Sequence, residues 1–371
     1  MSKSDESALT LASPADAKAK PKKKTQLTRG RSLQLDLFQT FLNNKPEELA
    51  GLSNALDFWD SIPRYSLSQQ AMSKLRDERG FLNNLELNFR YRGCAMHVSI
   101  QAALIKDSDG VTRAYYPSGT EELIEEALRK LAADKWNGNF DAKKEAYGVY
   151  FTIYELREEL YKRGHGRTFE EIFKSLQILS GSLMILSGDL PRSNNRAIAR
   201  SNFFPLLVGV TKQDLSVDPS AKWYVQFHPL ASEDITTLRF RQFNYDRLMR
   251  GSGSLTRWLI RLITLKFTQA SQLVTWETRY TTIKTDSSLL EGFARKRAAQ
   301  KYLRDCFQEL VELELLTAYT TEEILGPRGK VTDIIFKLTP HQKFAAEARA
   351  ANKRLLDAEK ALSAKQRESF S

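Results

Sequence analysis

The chain has 371 residues, of which 42% are hydrophobic, and a formal net charge of +11. This length is sufficient for about two folded domains, and the excess of cations predicts a polyanionic partner, with nucleic acid favoured over a membrane surface. The sequence has no run of ~18 apolar residues and no apolar segment after its first charges, so we expect a soluble, cytoplasmic protein. Cys94 and Cys306 lack the spacing of a zinc site, and no disulfide framework is expected.

Residues 1–31 are rich in Ser, Ala and Lys, which predicts a disordered basic tail. Residues 32–80 are predicted to be a linker. Near its start lies a pentapeptide of the kind that bacterial proteins use to bind the polymerase sliding clamp: Gln34, Leu35, Asp36, Leu37 and Phe38. Leu37 and Phe38 would fill an apolar pocket, and the Gln34 amide would orient the peptide. Alternatively, these apolar residues only begin a helix that packs on the nearest domain.

Residues 81–250 combine strand and helix periodicity. Alternating apolar residues predict strands at 85–91 and 96–100. Helical spacing and start signals, including the capping pair Thr168 and Glu171, predict three helices, at 117–136, 150–161 and 169–181. Strand-like runs follow at 183–186, 203–210 and 223–227. Three helices followed by a β-ribbon indicate a winged-helix domain.

A similar order occurs over residues 251–340. Helical spacing at 255–267 is followed by a short helix near 289–290 and a long amphipathic helix at 294–316. Two wing strands are predicted at 317–319 and 331–338. We therefore predict an α+β fold with two tandem winged-helix domains, 81–250 and 251–340, joined near Gly251 and Gly253, and a solvated helical extension at 341–371.

The helix predicted at 294–316 has a face of cationic and amide side chains: Arg297, Gln300, Lys301, Arg304 and Gln308. Arg and Lys bind guanine acceptors in the major groove, and Gln can bind adenine. The N-terminal residues of such a helix lie deepest in the groove, so Arg297, Gln300 and Lys301 are the leading candidates. The opposite face, including Cys306, is predicted to be buried. The alternative is that the basic face is only solvated.

Other cations are predicted to contact DNA phosphates: Lys284, Arg328 and Lys330, with Arg257 and Arg261 as further candidates. Such contacts position a protein on DNA without reading its sequence.

The equivalent helix of the first domain starts with Glu170 and Glu171, which would repel phosphate. We therefore expect the preceding loop, with Arg163, His165 and Arg167, to touch the DNA backbone while the second domain reads bases.

Sequence features of catalysis are missing. The turn from Gly326 to Lys330 is too short for a phosphate-binding loop, and Val331 stands where such a loop has Ser or Thr. The histidines are isolated from one another in the sequence, so no metal-dependent nicking site is indicated. We expect neither an enzyme nor a bound cofactor or metal.

The chain resembles the TrfA- and RepA-type plasmid replication initiators. The resemblance is carried by the pentapeptide 34–38, the segments 151–156 and 166–181, and the basic helix after Arg295. It implies binding to repeated origin sites, opening of an adjacent AT-rich stretch with the host initiator, recruitment of helicase and sliding clamp, and exchange between monomer and homodimer. A winged-helix transcriptional repressor and a clamp-bound repair or polymerase accessory factor are the alternatives.

Overall fold

The structure is a computed structural model. It describes residues 51–368, apart from short internal segments at 135–137, 142–145, 190–195, 211–217 and 219–220. The predicted tail, 1–31, and the pentapeptide Gln34–Phe38 lie outside the described residues. No helix in the described part of the chain is both long and apolar enough to cross a membrane.

Most of the predicted helices are present, but three described helices, Gln69–Leu75, Pro229–Thr236 and Tyr245–Arg250, were not predicted. In chain order the described helices are α1 (Gln69–Leu75), α2 (Gly119–Asp134), α3 (Ile153–Lys162), α4 (Phe169–Gly181), α5 (Pro229–Thr236), α6 (Tyr245–Arg250), α7 (Ser254–Lys266), α8 (Tyr280–Ser287), α9 (Lys296–Glu312) and α10 (Gln342–Glu368). The predicted capping pair is confirmed, because Thr168 and Glu171 cap α4 reciprocally.

The described strands form small antiparallel sheets. In chain order they are β1 (Leu52–Leu56), β2 (Leu85–Tyr91), β3 (Cys94–Gln101), β4 (Ala103–Lys106), β5 (Thr112–Tyr115), β6 (Gly138–Asp141), β7 (Ala146–Thr152), β8 (Leu183–Asp189), β9 (Arg196–Asn202), β10 (Leu206–Val210), β11 (Lys222–Gln226), β12 (Phe240–Asn244), β13 (Trp276–Arg279), β14 (Leu316–Leu325) and β15 (Val331–Pro340).

The first winged-helix unit runs from α2 through β7, α3 and α4 to the ribbon β8–β9. In a minimal winged helix this ribbon would pair with β7, but here it does not. It extends the hairpin β2–β3 into a sheet of order β2-β3-β8-β9, while β7 joins the separate sheet β10-β11-β7-β6. Val98 opposite Leu186 and Ile100 opposite Met184 bury apolar side chains along the added pairing. The early hairpin thus becomes part of the wing sheet.

The second unit has the simpler winged-helix order α7, β13, α8, α9, β14, β15, with a sheet of order β13-β15-β14. Its short second helix, α8, ends at Ser287, before the predicted position at 289–290. Leu290 is nevertheless buried in the loop that follows. Helix α9 ends at Glu312, earlier than predicted, and Glu314 just beyond it adopts a left-handed conformation with φ 56°.

Residues 51–80 are not a linker, which corrects that part of the prediction for 32–80. β1 pairs with β12, and Leu56, Trp59 and Met72 are almost completely buried in the first hydrophobic core. The sequence around β1 shows little periodicity because the strand is short and buried on both faces. Its partner strand is also far away in the sequence, so nothing local reveals the pairing.

The C-terminal extension is helical, as predicted, but its first half is not solvated. Phe344 and Ala348 of α10 are buried in the second core, and the Arg241 guanidinium donates a hydrogen bond of 2.9 Å to the Ala348 carbonyl. The buried side of α10 consists largely of alanines. The sequence did not reveal this side because Lys and Glu dominate the composition of the segment. α10 therefore belongs to the second unit over its first turns.

Buried ion pairs join the two units. Glu122 of α2 accepts a hydrogen bond from Arg257 Nε at 2.8 Å and another from Arg261 Nη1 at 2.8 Å, and Arg261 Nη2 contacts Glu126 at 3.0 Å. These four side chains are at most 5% exposed. The expectation that Arg257 and Arg261 contact phosphate is therefore wrong, because both guanidinium groups are enclosed between α2 and α7.

Burial and charge compete in this group of ion pairs, here called the ionic seam (Glu122, Glu126, Arg257 and Arg261). Burial by itself would raise the pKa of Glu122, but the neighbouring Arg257 and Arg261 outweigh burial and hold that pKa below its usual value. At Glu126 burial prevails and raises the pKa, although Arg129 and Arg261 act against it. Removing one partner would leave another buried charge with less compensation, which is strongly destabilising.

Candidate nucleic-acid interface

The helix α9 packs on the second core through one apolar stripe. Ala299, Leu303, Cys306 and Leu310 are buried on this stripe, as predicted, and the ring of Phe307 lies 4.7 Å from that of Phe336 on β15. Burial raises the pKa of Cys306 to about 11, which fits the predicted role of a small apolar residue rather than a reactive thiol. Because the stripe fixes the rotation of the helix, it also determines which side chains face outward.

The outward side chains of α9 are those assigned by helical spacing. Arg297 and Lys301 are exposed, and neither forms an ion pair with any described residue; Gln300 is partly exposed. Arg304 is half-buried and lies 3.9 Å from Glu323 of β14, which partly neutralises it. The open cations are thus concentrated toward the N-terminal end of the helix, where winged-helix docking places base contacts.

The first turn of α9 departs from the usual rule for helix N-termini. It contains no acidic residue, and its N-cap, Arg295, makes no side-chain capping hydrogen bond. Cations there oppose the helix dipole, and the uncapped N–H groups need an acceptor. An external anion such as a DNA phosphate would satisfy both requirements. A departure of this kind from local stability is typical of a functional site.

Lys296 was not predicted from the sequence as part of this site. Its ammonium donates a hydrogen bond of 2.7 Å to the Thr332 carbonyl on β15 and lies 5.8 Å from the ring of Tyr280. Lys296 therefore ties the start of α9 to the base of the wing. Its place in a run of three cations could have drawn attention to it, but only the folded chain brings Thr332 close.

The wing tip presents the two predicted phosphate contacts to solvent. Arg328 and Lys330 are exposed in the turn between β14 and β15. Arg328 has a φ of 62°, in the left-handed region that is unfavourable for a side chain of this size. A hydrogen bond of 2.8 Å from the Gly326 N–H to the Lys330 carbonyl closes the turn. The turn thereby holds both cations at the far end of the hairpin.

Lys284 is less available than the wing cations. On α8 its ammonium lies 3.2 Å from Glu291, which reduces its attraction for phosphate. The structure therefore places Arg297, Lys301, Arg328 and Lys330 as open cations of the second unit, with Lys284 partly neutralised. Their contact with DNA stays a prediction.

The corresponding helix of the first unit, α4, has a different surface. Glu170 and Glu171 occupy its first turn, and hydrogen bonds from its own backbone N–H and the Thr168 hydroxyl lower the pKa of Glu170. Its cation, Lys174, is bound to Asp107 at 2.5 Å. In this conformation α4 offers neither an open cation nor a free N-terminal end, so its surface is poorly suited to phosphate.

The loop before α4 is fixed to α6. Arg163 pairs with Glu159 at 3.2 Å and also with Asp246, and His165 Nε2 lies 2.6 Å from the Met249 carbonyl oxygen. Two of the three residues predicted to touch the DNA backbone thus have structural partners. Arg167 forms no ion pair with a described residue.

No family model matches the chain, and no curated protein does. Some solved structures are similar to it in outline. A selenomethionine derivative of domains 2 and 3 of RctB gives a TM-score of 0.46 at 12% identity, covering 80% of this chain and 98% of the other. Another structure of RctB domains 2–3 gives 0.42 at 11% identity, covering 75% and 97%. The Pi initiator protein in complex with iteron DNA gives 0.40 at 9% identity, covering 60% and 90%. TM-scores below 0.5 do not establish a shared fold. The two winged-helix units are instead recognised from the order of helices and strands in this chain.

Proposed function

We propose that the protein binds duplex DNA sequence-specifically through its second winged-helix unit. The observation that carries this proposal is the N-terminal half of α9, where Arg297 and Lys301 are exposed, unpaired with any described carboxylate and preceded by an uncapped first turn. In the major groove, Arg297 and Lys301 would bind guanine acceptors and Gln300 would bind adenine, each good bidentate contact contributing ~1–3 kcal/mol of discrimination. Arg328 and Lys330 would hold the flanking phosphates.

We further propose that this binding serves replication initiation at a plasmid origin. The pentapeptide Gln34–Phe38 supports a link to the sliding clamp, and the resemblance to plasmid initiators supports recruitment of host initiator and helicase. In this mechanism the free energy of binding bends and opens the duplex, because contacts made only on deformed DNA offset the deformation. A repressor would use the same helix but would leave the pentapeptide unexplained.

The ionic seam bears on the kind of site that would be bound. Because Glu122 and Arg261 hold α2 against α7, the two units keep one relative orientation on DNA. Two modules on successive major-groove faces stand one helical turn apart, ~34 Å. We therefore expect direct repeats of about 20 base pairs rather than a short palindrome, and a footprint of less than one turn would contradict this expectation.

A plasmid establishment assay tests the function. The gene is supplied in trans to candidate repeat DNA on a vector that otherwise cannot persist, and stable transformants are expected. The double substitution Leu37→Ala and Phe38→Ala should abolish maintenance while leaving specific DNA affinity intact. Full maintenance by this variant would remove the clamp from the proposal, and repeat binding without any maintenance by the wild type would favour the repressor.

A further inference from the structure

An open cleft of about 520 Å³ lies at the junction of the two units. Its walls are the start of α1, the first turn of α2, the α3–α4 loop, the end of α6 and the turn into α7. None of its described lining residues is Asp or Glu, whereas five are basic: Arg163, His165, Arg167, Arg250 and Arg257. A cleft lined in this way has a positive potential and suits an anionic ligand.

The basic residues of the junction cleft divide into two kinds. Arg257 belongs to the ionic seam, and Arg163 and His165 are engaged with α3 and α6, so these three build the walls. Arg167 and Arg250 form no ion pair with any described residue, and Arg250 is exposed. They are the two cations of the cleft that remain available to a ligand.

The position of the cleft relative to α4 and α9 bears on which anionic ligand it would bind. Arg167 directly precedes Thr168, the N-cap of α4, while Ser252 on the opposite wall donates a backbone hydrogen bond of 2.6 Å to Glu309 of α9. The cleft thus adjoins the start of α4 and, through Ser252, the C-terminal part of α9. A duplex spanning the two units must carry its sugar-phosphate backbone past this junction.

We propose that the junction cleft seats the phosphodiester backbone of the bound duplex, with Arg167 and Arg250 as direct phosphate contacts; this rests on the proposed DNA-binding function. The first unit therefore contributes to DNA binding through its junction side and not through α4.

The lining argues against a free nucleotide as the ligand. The large apolar residues of the cleft are Leu123 and Met249, and its described lining contains no Phe, Tyr or Trp on which a base could stack. Sites for small molecules are mostly enclosed and apolar, whereas this cleft is open and polar. The carboxylates bonded to its lining residues are already engaged: Glu159 and Asp246 pair with Arg163, Glu309 with Ser252, Glu121 with Ser118 and Glu122 with Arg257.

The test measures the salt dependence of binding to a duplex selected by the wild-type protein from a random pool. The double substitution Arg167→Ala and Arg250→Ala should weaken binding equally to selected and scrambled duplexes. It should also lower the slope of log K against log salt by about two, at ~0.9 per phosphate contact. The matched control, Arg349→Ala with Lys353→Ala, removes two exposed charges from α10 and should leave the slope nearly unchanged. The double substitution Arg167→Lys and Arg250→Lys keeps both charges and should retain the wild-type slope.

Each outcome is decisive. An unchanged slope in the folded Arg167→Ala and Arg250→Ala variant, as judged by its circular dichroism, overturns the phosphate seat while leaving the proposed function intact. If the wild type selects no duplex, the proposed function fails. The slope measured on unselected DNA still tests whether Arg167 and Arg250 contact phosphates. Saturable binding of ATP or inorganic phosphate that requires Arg167 and Arg250, without a change in slope, would assign the cleft to a free anion instead.

Discussion

The helices at equivalent positions in the two units, α4 and α9, have opposite charges at their N-terminal ends. α4 starts with Glu170 and Glu171 behind the capping box of Thr168, so its N–H groups and dipole are satisfied within the chain. α9 starts with Lys296 and Arg297 and has no side-chain cap. The N-terminal end of α4 is therefore satisfied by side chains of the first unit, whereas the N-terminal end of α9 can accept an external anion.

The units also differ in what their buried surfaces do. In the first unit, α2 is buried along nearly its whole length, and its carboxylates pair with arginines from both units. The core of the second unit is largely apolar, and apart from Arg257 and Arg261, which are buried in the ionic seam, it carries exposed cations at the start of α9 and in the wing turn. The first unit thus supplies the carboxylates of the ionic seam, and the second supplies exposed cations for the proposed contact with DNA.

The largest expected effect is on sequence discrimination. Replacing Arg297 and Lys301 by Ala should remove two contacts of ~1–3 kcal/mol each, so the preference for the selected duplex over a scrambled one should fall by about 30-fold to 10⁴-fold. Competition gel shifts measure this ratio. The control Arg349→Ala with Lys353→Ala should preserve it, and an unchanged ratio in the α9 variant would show that another surface reads the DNA.

A second prediction concerns the ionic seam. Glu122→Gln leaves Arg257 and Arg261 buried with one charge partner fewer, which should lower the free energy of unfolding by about 3–5 kcal/mol. Urea unfolding followed by circular dichroism should also separate into two transitions as the units lose their coupling. Glu78→Gln, at an exposed carboxylate, should change stability by less than ~0.5 kcal/mol. Equal stability of the two variants would refute the structural role of the seam.

The smallest expected effect sharpens the comparison of α4 with α9. Glu170→Lys replaces a carboxylate at the start of α4 and leaves the Thr168–Glu171 capping box in place. Affinity for unrelated duplex DNA should rise a few-fold at low salt, and the rise should vanish at high salt because the interaction is screened. Glu78→Lys makes the same charge change elsewhere. An equal rise in both variants would mean that only net charge matters.

Local structure was readable from the sequence. The helices near 117–136 and 169–181, the pattern of buried and exposed residues on α9, and the hairpin that follows it were all predicted and are confirmed. These features depend on residues three or four positions apart, on capping pairs such as Thr168 and Glu171, or on turns, and each leaves a signal within a few positions of the chain.

The sequence by itself therefore determined the two winged-helix units, the charges at the starts of α4 and α9 and the excess of cations. Only the tertiary structure decided that β1 joins β12, that Arg257 and Arg261 are buried against Glu122 and Glu126, and that Arg167 and Arg250 share one cleft. An arginine that binds phosphate and one that binds a buried carboxylate look alike in a sequence. They differ only in what the folded chain brings beside them, and those partners come from distant segments.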